Sequence, residues 1–162
     1  MANYGVSRNI EASLIDYLNE KLEEYNWRNV NVIKGFKRAY DLDLPVIAVM
    51  VDETTHKRVG IGGNETYREV LLHIYIFAKS DGQRLDLKDF VVDIVKGSLP
   101  YYEYTIEHGK VVSKNYVCQM FVNDIIDRKA YAIDDISNLD VHDRYRHYIG
   151  LYLSIPKVEG VR

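Results

Sequence analysis

TYREVLLHIYIFAKSDGQRLDLKDFVVDIVKG, residues 66–97, is the stretch whose reading decides the fold. Its first twelve residues alternate. Successive strand side chains point to opposite sides, so Val70, Leu72, Ile74 and Ile76 share one face, and Leu71, His73, Tyr75 and Phe77 share the other. The polar run KSDGQR turns the chain. A helix should follow, with Asp86 as N-cap, Asp89 at N3, and Leu85 and Phe90 spaced as a hydrophobic staple. Leu87, Phe90, Val91, Ile94 and Val95 form its packing face. Gly97 stands where a left-handed residue ends a helix, and Pro100 blocks its resumption.

Upstream, Ile10, Leu14, Leu18 and Leu22 recur at helical spacing behind Ser7, a candidate cap, and Asn26 and Trp27 close the helix. Glu11, Asp16, Glu20, Glu23 and Glu24 read as its solvated face. A short strand is expected at 31–35 and a loop at 36–44. Pro45 then opens VIAVMV, an apolar run suited to a strand covered on both faces. Residues 52–64, DETTHKRVGIGGN, read as a polar hairpin that turns at Thr54-Thr55, with a second short strand at 57–61. GIGG lacks the Lys-Ser or Lys-Thr and the following helix of a phosphate loop.

Downstream, residues 101–113 read as a hairpin turning near His108-Gly109. Residues 115–129 form a long strand in which Tyr116, Cys118, Met120 and Val122 share one face and Val117, Phe121 and Ile125 lie on the other. Residues 131–143 are acidic and irregular. Residues 144–156 alternate again, with His147, Ile149, Leu151 and Leu153 against Tyr148, Gly150 and Tyr152. Residues 157–162 read as a tail. There is no βαβαβ alternation, so a doubly wound nucleotide-binding fold is disfavoured. The expected fold is a single α+β domain: a mostly antiparallel sheet with two helices packed on one face, plus a β-hairpin.

Composition narrows the function classes. A net charge of −3 does not suit nucleic acid or an anionic membrane, both of which want a basic surface. The single cysteine, Cys118, rules out a disulfide within one chain and reads as a small buried hydrophobe. The N-terminal residues lack the plan of a signal peptide, and no apolar run reaches the roughly 20 residues of a spanning helix. A cytoplasmic life is expected. Fourteen Tyr against four Phe and one Trp suit a protein that buries wet surface on assembly.

No catalytic signature is present: G-x-S-x-G, C-x-x-C, H-E-x-x-H and G-x-x-x-x-G-K are all missing. Asp124 and Asp127, three apart on a strand, face opposite sides and cannot share acid–base work. One metal-dependent hydrolase alternative remains, built on Asp134, Asp135, Asp140, His142, Asp143 and His147. No cofactor is expected.

The outer face of the sheet carries Leu71, His73, Tyr75, Phe77, Tyr148 and Tyr152, and left open it would be an unusually large apolar patch. A neighbouring subunit is expected to cover it, with the chain's own loops at 36–44 or 131–143 as the competing cover, and a bound peptide or small ligand as a third possibility.

The run IYIFAKSDGQRLDLKDFVVDIVKG, followed by a Tyr-rich segment, resembles the tail-terminator and tail-completion proteins of long-tailed bacteriophages. So does the order of amphipathic helix, PVIAVMVDE strand, polar hairpin ending in Gly, long strand and second helix. The resemblance spans residues 10–156. It implies a virion protein with no active site, assembled in the host cytoplasm. Its subunits would form a ring, commonly a hexamer, on the end of the tail tube, stopping polymerisation and presenting a surface to the head connector. Tube and connector proteins are thus the implied partners besides a second copy; related folds serve elsewhere in the neck, in head completion and head–tail connection. Within this reading Thr54, Thr55, His56, Lys57 and Arg58 are the expected docking hairpin.

Overall fold

A computed structural model describes residues 2–35, 37–130 and 140–160. In chain order the elements are β1 (Ala2–Asn3), α1 (Val6–Glu24), β2 (Asn31–Lys34), a 3-10 helix (Lys37–Asp41), β3 (Val46–Arg58), β4 (Thr66–Phe77), α2 (Asp81–Val95), β5 (Ser98–Glu107), β6 (Lys110–Lys129) and β7 (Arg146–Glu159). The strands make one seven-stranded sheet in the order β1-β5-β6-β7-β4-β3-β2. All neighbours are antiparallel except β2 and β3. The α+β class is therefore as expected.

The alternation of β4 sets the two faces. Val70, Leu72, Ile74 and Ile76 are buried in one cluster with Ile149, Leu151 and Leu153 of β7. Ile10, Leu14, Leu18 and Leu22 of α1 and Leu87, Val91 and Val95 of α2 join the same cluster. Burying each such side chain contributes about 1.5–3 kcal/mol, which makes this cluster the main stabilising element.

The helix ends differ from expectation. Gly5, not Ser7, precedes α1, and the Ser7 hydroxyl instead accepts from Arg68 Nη1 at 3.0 Å. Its C-terminus closes as a Schellman motif: Asn26 sits at φ 61°, Trp27 N–H bonds the Leu22 carbonyl, and Asn26 N–H bonds that of Glu23. α2 begins five residues before Asp86. Ser80 caps it, accepting from Gln83 N–H at 3.2 Å, while Gln83 Oε1 accepts from Lys79 N–H at 2.8 Å. Leu85 and Phe90 thus both lie inside the helix rather than stapling its start.

α1 is not a helix lying on a flat sheet. It packs on β5 and also touches β2 and β3, although β6, β7 and β4 separate β5 from β3. The sheet must curl around α1 for this to happen. Its polar side chains then bond both edges. On β5, the Ser13 hydroxyl accepts from Tyr102 N–H at 2.9 Å, and Asn9 Oδ1 accepts from Tyr104 N–H at 3.2 Å. On β3, Glu11 Oε1 accepts from Val51 N–H at 2.9 Å. Glu11 is therefore buried rather than solvated, because it supplies the acceptor that β2 is too short to give.

Candidate interaction surface

The outer face of the sheet is closed in part by the chain itself. β2 and β3 are parallel, so their connection has to cross over a face instead of turning in the plane of the sheet. It crosses the outer one. Ala39 and Leu44 pack with Val46, Ala48 and Phe77 in a second buried cluster, with Tyr75 beside it. The Tyr40 ring meets Phe77 edge-on at 5.8 Å, and its hydroxyl donates to Asp143 at 2.7 Å. The Arg146 guanidinium lies 4.5 Å from the centre of the Tyr75 ring. Phe77 is consequently buried and Tyr75 half-buried; Tyr148 is buried beside His73, Tyr75 and Arg128, Leu71 and His73 are half-buried, and Tyr152 stays open at 41% exposure. The connection thus covers the Phe77 and Tyr75 end of the face within one chain.

Beside this cover an acid–imidazole–phenol line runs out to an exposed carboxylate. Asp52 Oδ2 lies 2.8 Å from His73 Nε2, and His73 Nδ1 lies 2.6 Å from the Tyr148 hydroxyl. The carboxylate can only accept, so Nε2 carries a proton and donates to Asp52. Burial pushes the Tyr148 phenol above its ordinary pKa. The line ends on a phenol kept protonated by burial, and its hydrogen bond orders the two rings.

The open surface lies elsewhere, on β6. This strand changes partner along its length: Lys110 to Phe121 pair with β5, and Phe121 to Lys129 pair with β7. Among the described residues the first half has no strand on its second side. Val112, Tyr116, Val117 and Phe121 along it are 50%, 56%, 39% and 51% exposed. The alternation of 115–129 was visible in the sequence, but the change of partner is a long-range property that no local pattern reports.

Thr54, Thr55, His56, Lys57 and Arg58 do not form a turn. A bulge after Val51 lets β3 continue, and these residues pair with Thr66 to Val70 of β4 up to Arg58–Thr66. The tip is residues 59–65, where Ile61 is fully exposed and Gly62 holds φ 77°. At the other end, β7 runs to Glu159, so residues 157–159 are strand and not tail.

The hydrolase residues are not brought together. Asp134 and Asp135 lie outside the described residues. Asp140 and His142 pair with each other, Asp143 holds Tyr40, and His147 is buried under α2. Arg84 Nη1 donates to His147 Nδ1 at 2.7 Å, so the Nε2–H donates to Asp127 Oδ1 at 2.5 Å, and Lys88 completes the Asp127 carboxylate at 3.0 Å. Burial holds His147 below its ordinary pKa against the pull of Asp127. Burial alone would raise Asp127, but hydrogen bonds from His147 and Lys88 outweigh it and hold it low. Among the described residues no group of three or more His, Cys, Asp or Glu is arranged to hold a metal ion. None of their helices is long and apolar enough to cross a membrane. Cys118 is half-buried against the core, and burial raises its thiol pKa.

No family model matches the chain, and no match was found among curated proteins.

Proposed function

We propose that this chain is a structural virion protein, a phage tail terminator whose subunits close into a ring on the end of the tail tube and join it to the head connector. The observation that carries the reading is the half-strand of β6, whose second edge has no strand partner among the described residues and along which apolar side chains are exposed. Open edges template pairing with another chain, and exposed apolar area of this kind marks an interaction surface. A protein that works as a surface needs such a strip and no assembled catalytic centre. The resemblance of residues 10–156 supplies the post in the neck.

Electron microscopy of the purified protein tests the assembly: closed rings are expected, and single subunits at all concentrations would overturn the reading. In phage lysates, loss of the protein should give tubes longer than normal and heads without tails. Tubes of normal length with unattached heads would instead place the protein on the head side of the joint.

A further inference from the structure

We infer that the tip of the β3–β4 hairpin of one subunit plugs a cleft along α1 of the next, an inference that rests on the ring reading. The cleft is the seam left where the curled sheet fails to close over α1. It has a volume of about 300 Å³. Its floor is Ala12 and Ile15 of α1, and its walls are Lys34 of β2 on one side and Tyr104 and Val111 of the β5–β6 pair on the other. The charges around it are already satisfied within the subunit. Lys34 lies 3.5 Å from Glu11, Lys114 lies 3.4 Å from Asp16, and the Arg8 guanidinium lies 3.7 Å from the centre of the Tyr4 ring. What the seam offers a partner is therefore an apolar floor inside a rim whose charges already have partners in the subunit.

The chain carries a segment of matching character. Residues 59–64, VGIGGN, have no charge. Ile61 is fully exposed and Val59 is 51% exposed. Gly62 needs its glycine for a positive φ, but Gly60 and Gly63 do not. A Cβ at either would meet nothing within 4 Å, so nothing inside the subunit calls for a bare backbone there. Bare backbone on both sides of one apolar side chain makes a narrow knob that can enter a cleft closely. An uncharged tip meets no like charge at such a rim, and rim charges that already have partners call for no ion on the tip.

Tip and seam are different parts of the surface. Contact between them is head-to-tail, the kind of contact that generates a ring when its rotation closes. Strand pairing along β6 can lie beside it in the same interface.

Light scattering on size-separated protein tests the contact. Ile61→Asp changes a fully exposed side chain, so the variant should keep the wild-type circular dichroism spectrum while its mass falls from that of the ring to one chain. Ala12→Trp fills the seam and should have the same effect on mass. An equal mixture of the two retains one good seam and one good tip, and should give two-chain particles that do not grow. If Ile61→Asp keeps the wild-type ring mass, the contact is wrong and the ring reading stands. A mixture that stays single-chain, or that restores full rings, overturns the head-to-tail contact as well. A wild-type protein that is a single chain at every concentration removes the ring reading and the contact with it.

Discussion

The Tyr148 ring lies across Gly150 so closely that a Cβ at Gly150 would stand 2.7 Å from the phenol oxygen. Gly150 is the strand neighbour of His73, and this lie is what brings the Tyr148 hydroxyl to His73 Nδ1. The phenol is the far end of a side chain, but one held by burial and by that hydrogen bond.

Gly150→Ala should therefore displace Tyr148 and lower stability by about 1–3 kcal/mol in urea unfolding. In a Tyr148→Ala background the same substitution should be neutral or stabilising, by up to about 1 kcal/mol, because Ala loses less entropy than Gly in a strand. Equal effects in both backgrounds would show that the two residues are not coupled.

The His147–Asp127 pair gives a signed pH dependence. His147 has a folded pKa below its ordinary 6.5, so below that value the unfolded chain takes up a proton that the native chain refuses. The stability this site contributes is complete above pH 6.5 and is lost as the pH falls toward the folded value. Asp127, held below 3.8, adds a second loss in the same direction at lower pH. Urea midpoints for wild type and His147→Gln between pH 7 and 5 check this: the variant should show the shallower slope, and parallel curves would refute it.

Ser13 and Glu11 are expected to matter as edge acceptors more than as helix residues. Ser13→Ala leaves both the Tyr102 N–H and its carbonyl without their partner, and should cost about 1–3 kcal/mol. Amide exchange locates the effect. Tyr102 should exchange faster in Ser13→Ala and Val51 faster in Glu11→Ala, each without change at the other site.

The outer edge of β6 should behave as an assembly surface. Val117→Lys and Phe121→Lys change exposed side chains, so each should shift the stability of the single subunit by less than about 0.5 kcal/mol. Both should nevertheless dissociate the oligomer in light scattering. A ring that tolerates both charges would remove β6 from the interface.

Periodicity carried the sequence reading wherever the deciding contacts were near in the chain. The two faces of β4, the stripe Ile10, Leu14, Leu18 and Leu22, and the turn at His108-Gly109, where both residues hold positive φ, were legible for that reason. The start of α2 was legible too and was passed over. Ser80 and Gln83 have the spacing of a capping box, but Gly82 between them makes the first turn look like a loop. The bulge after Val51 was hidden because it breaks the alternation that identifies a strand. Buried Glu11 was hidden because its polarity answers a backbone N–H 40 residues away. For the surface the failure was of another kind. Alternation says which side chains share a face, and it is silent on what lies over that face. Phe77 and Tyr75 lie on the side of the sheet that alternation gives them, but the 3-10 connection already occupies it there.

The position of β7 in the sheet has a consequence for how the chain folds. The sheet divides into β1-β5-β6 and β4-β3-β2, and β7 is the strand that joins them. Before β7 in the chain it is the helices that reach both halves, α1 through Ser13 and Glu11 and α2 by packing on β4 and β6. During synthesis each half can assemble on its own, but they cannot be zipped together until Arg146–Glu159 has emerged. Until then β4 and the second half of β6 wait with an unpaired edge each, next to apolar side chains. Such a keystone arrangement is slow, because its decisive pairings are far apart in sequence, and it makes the nascent chain most vulnerable to aggregation just before completion.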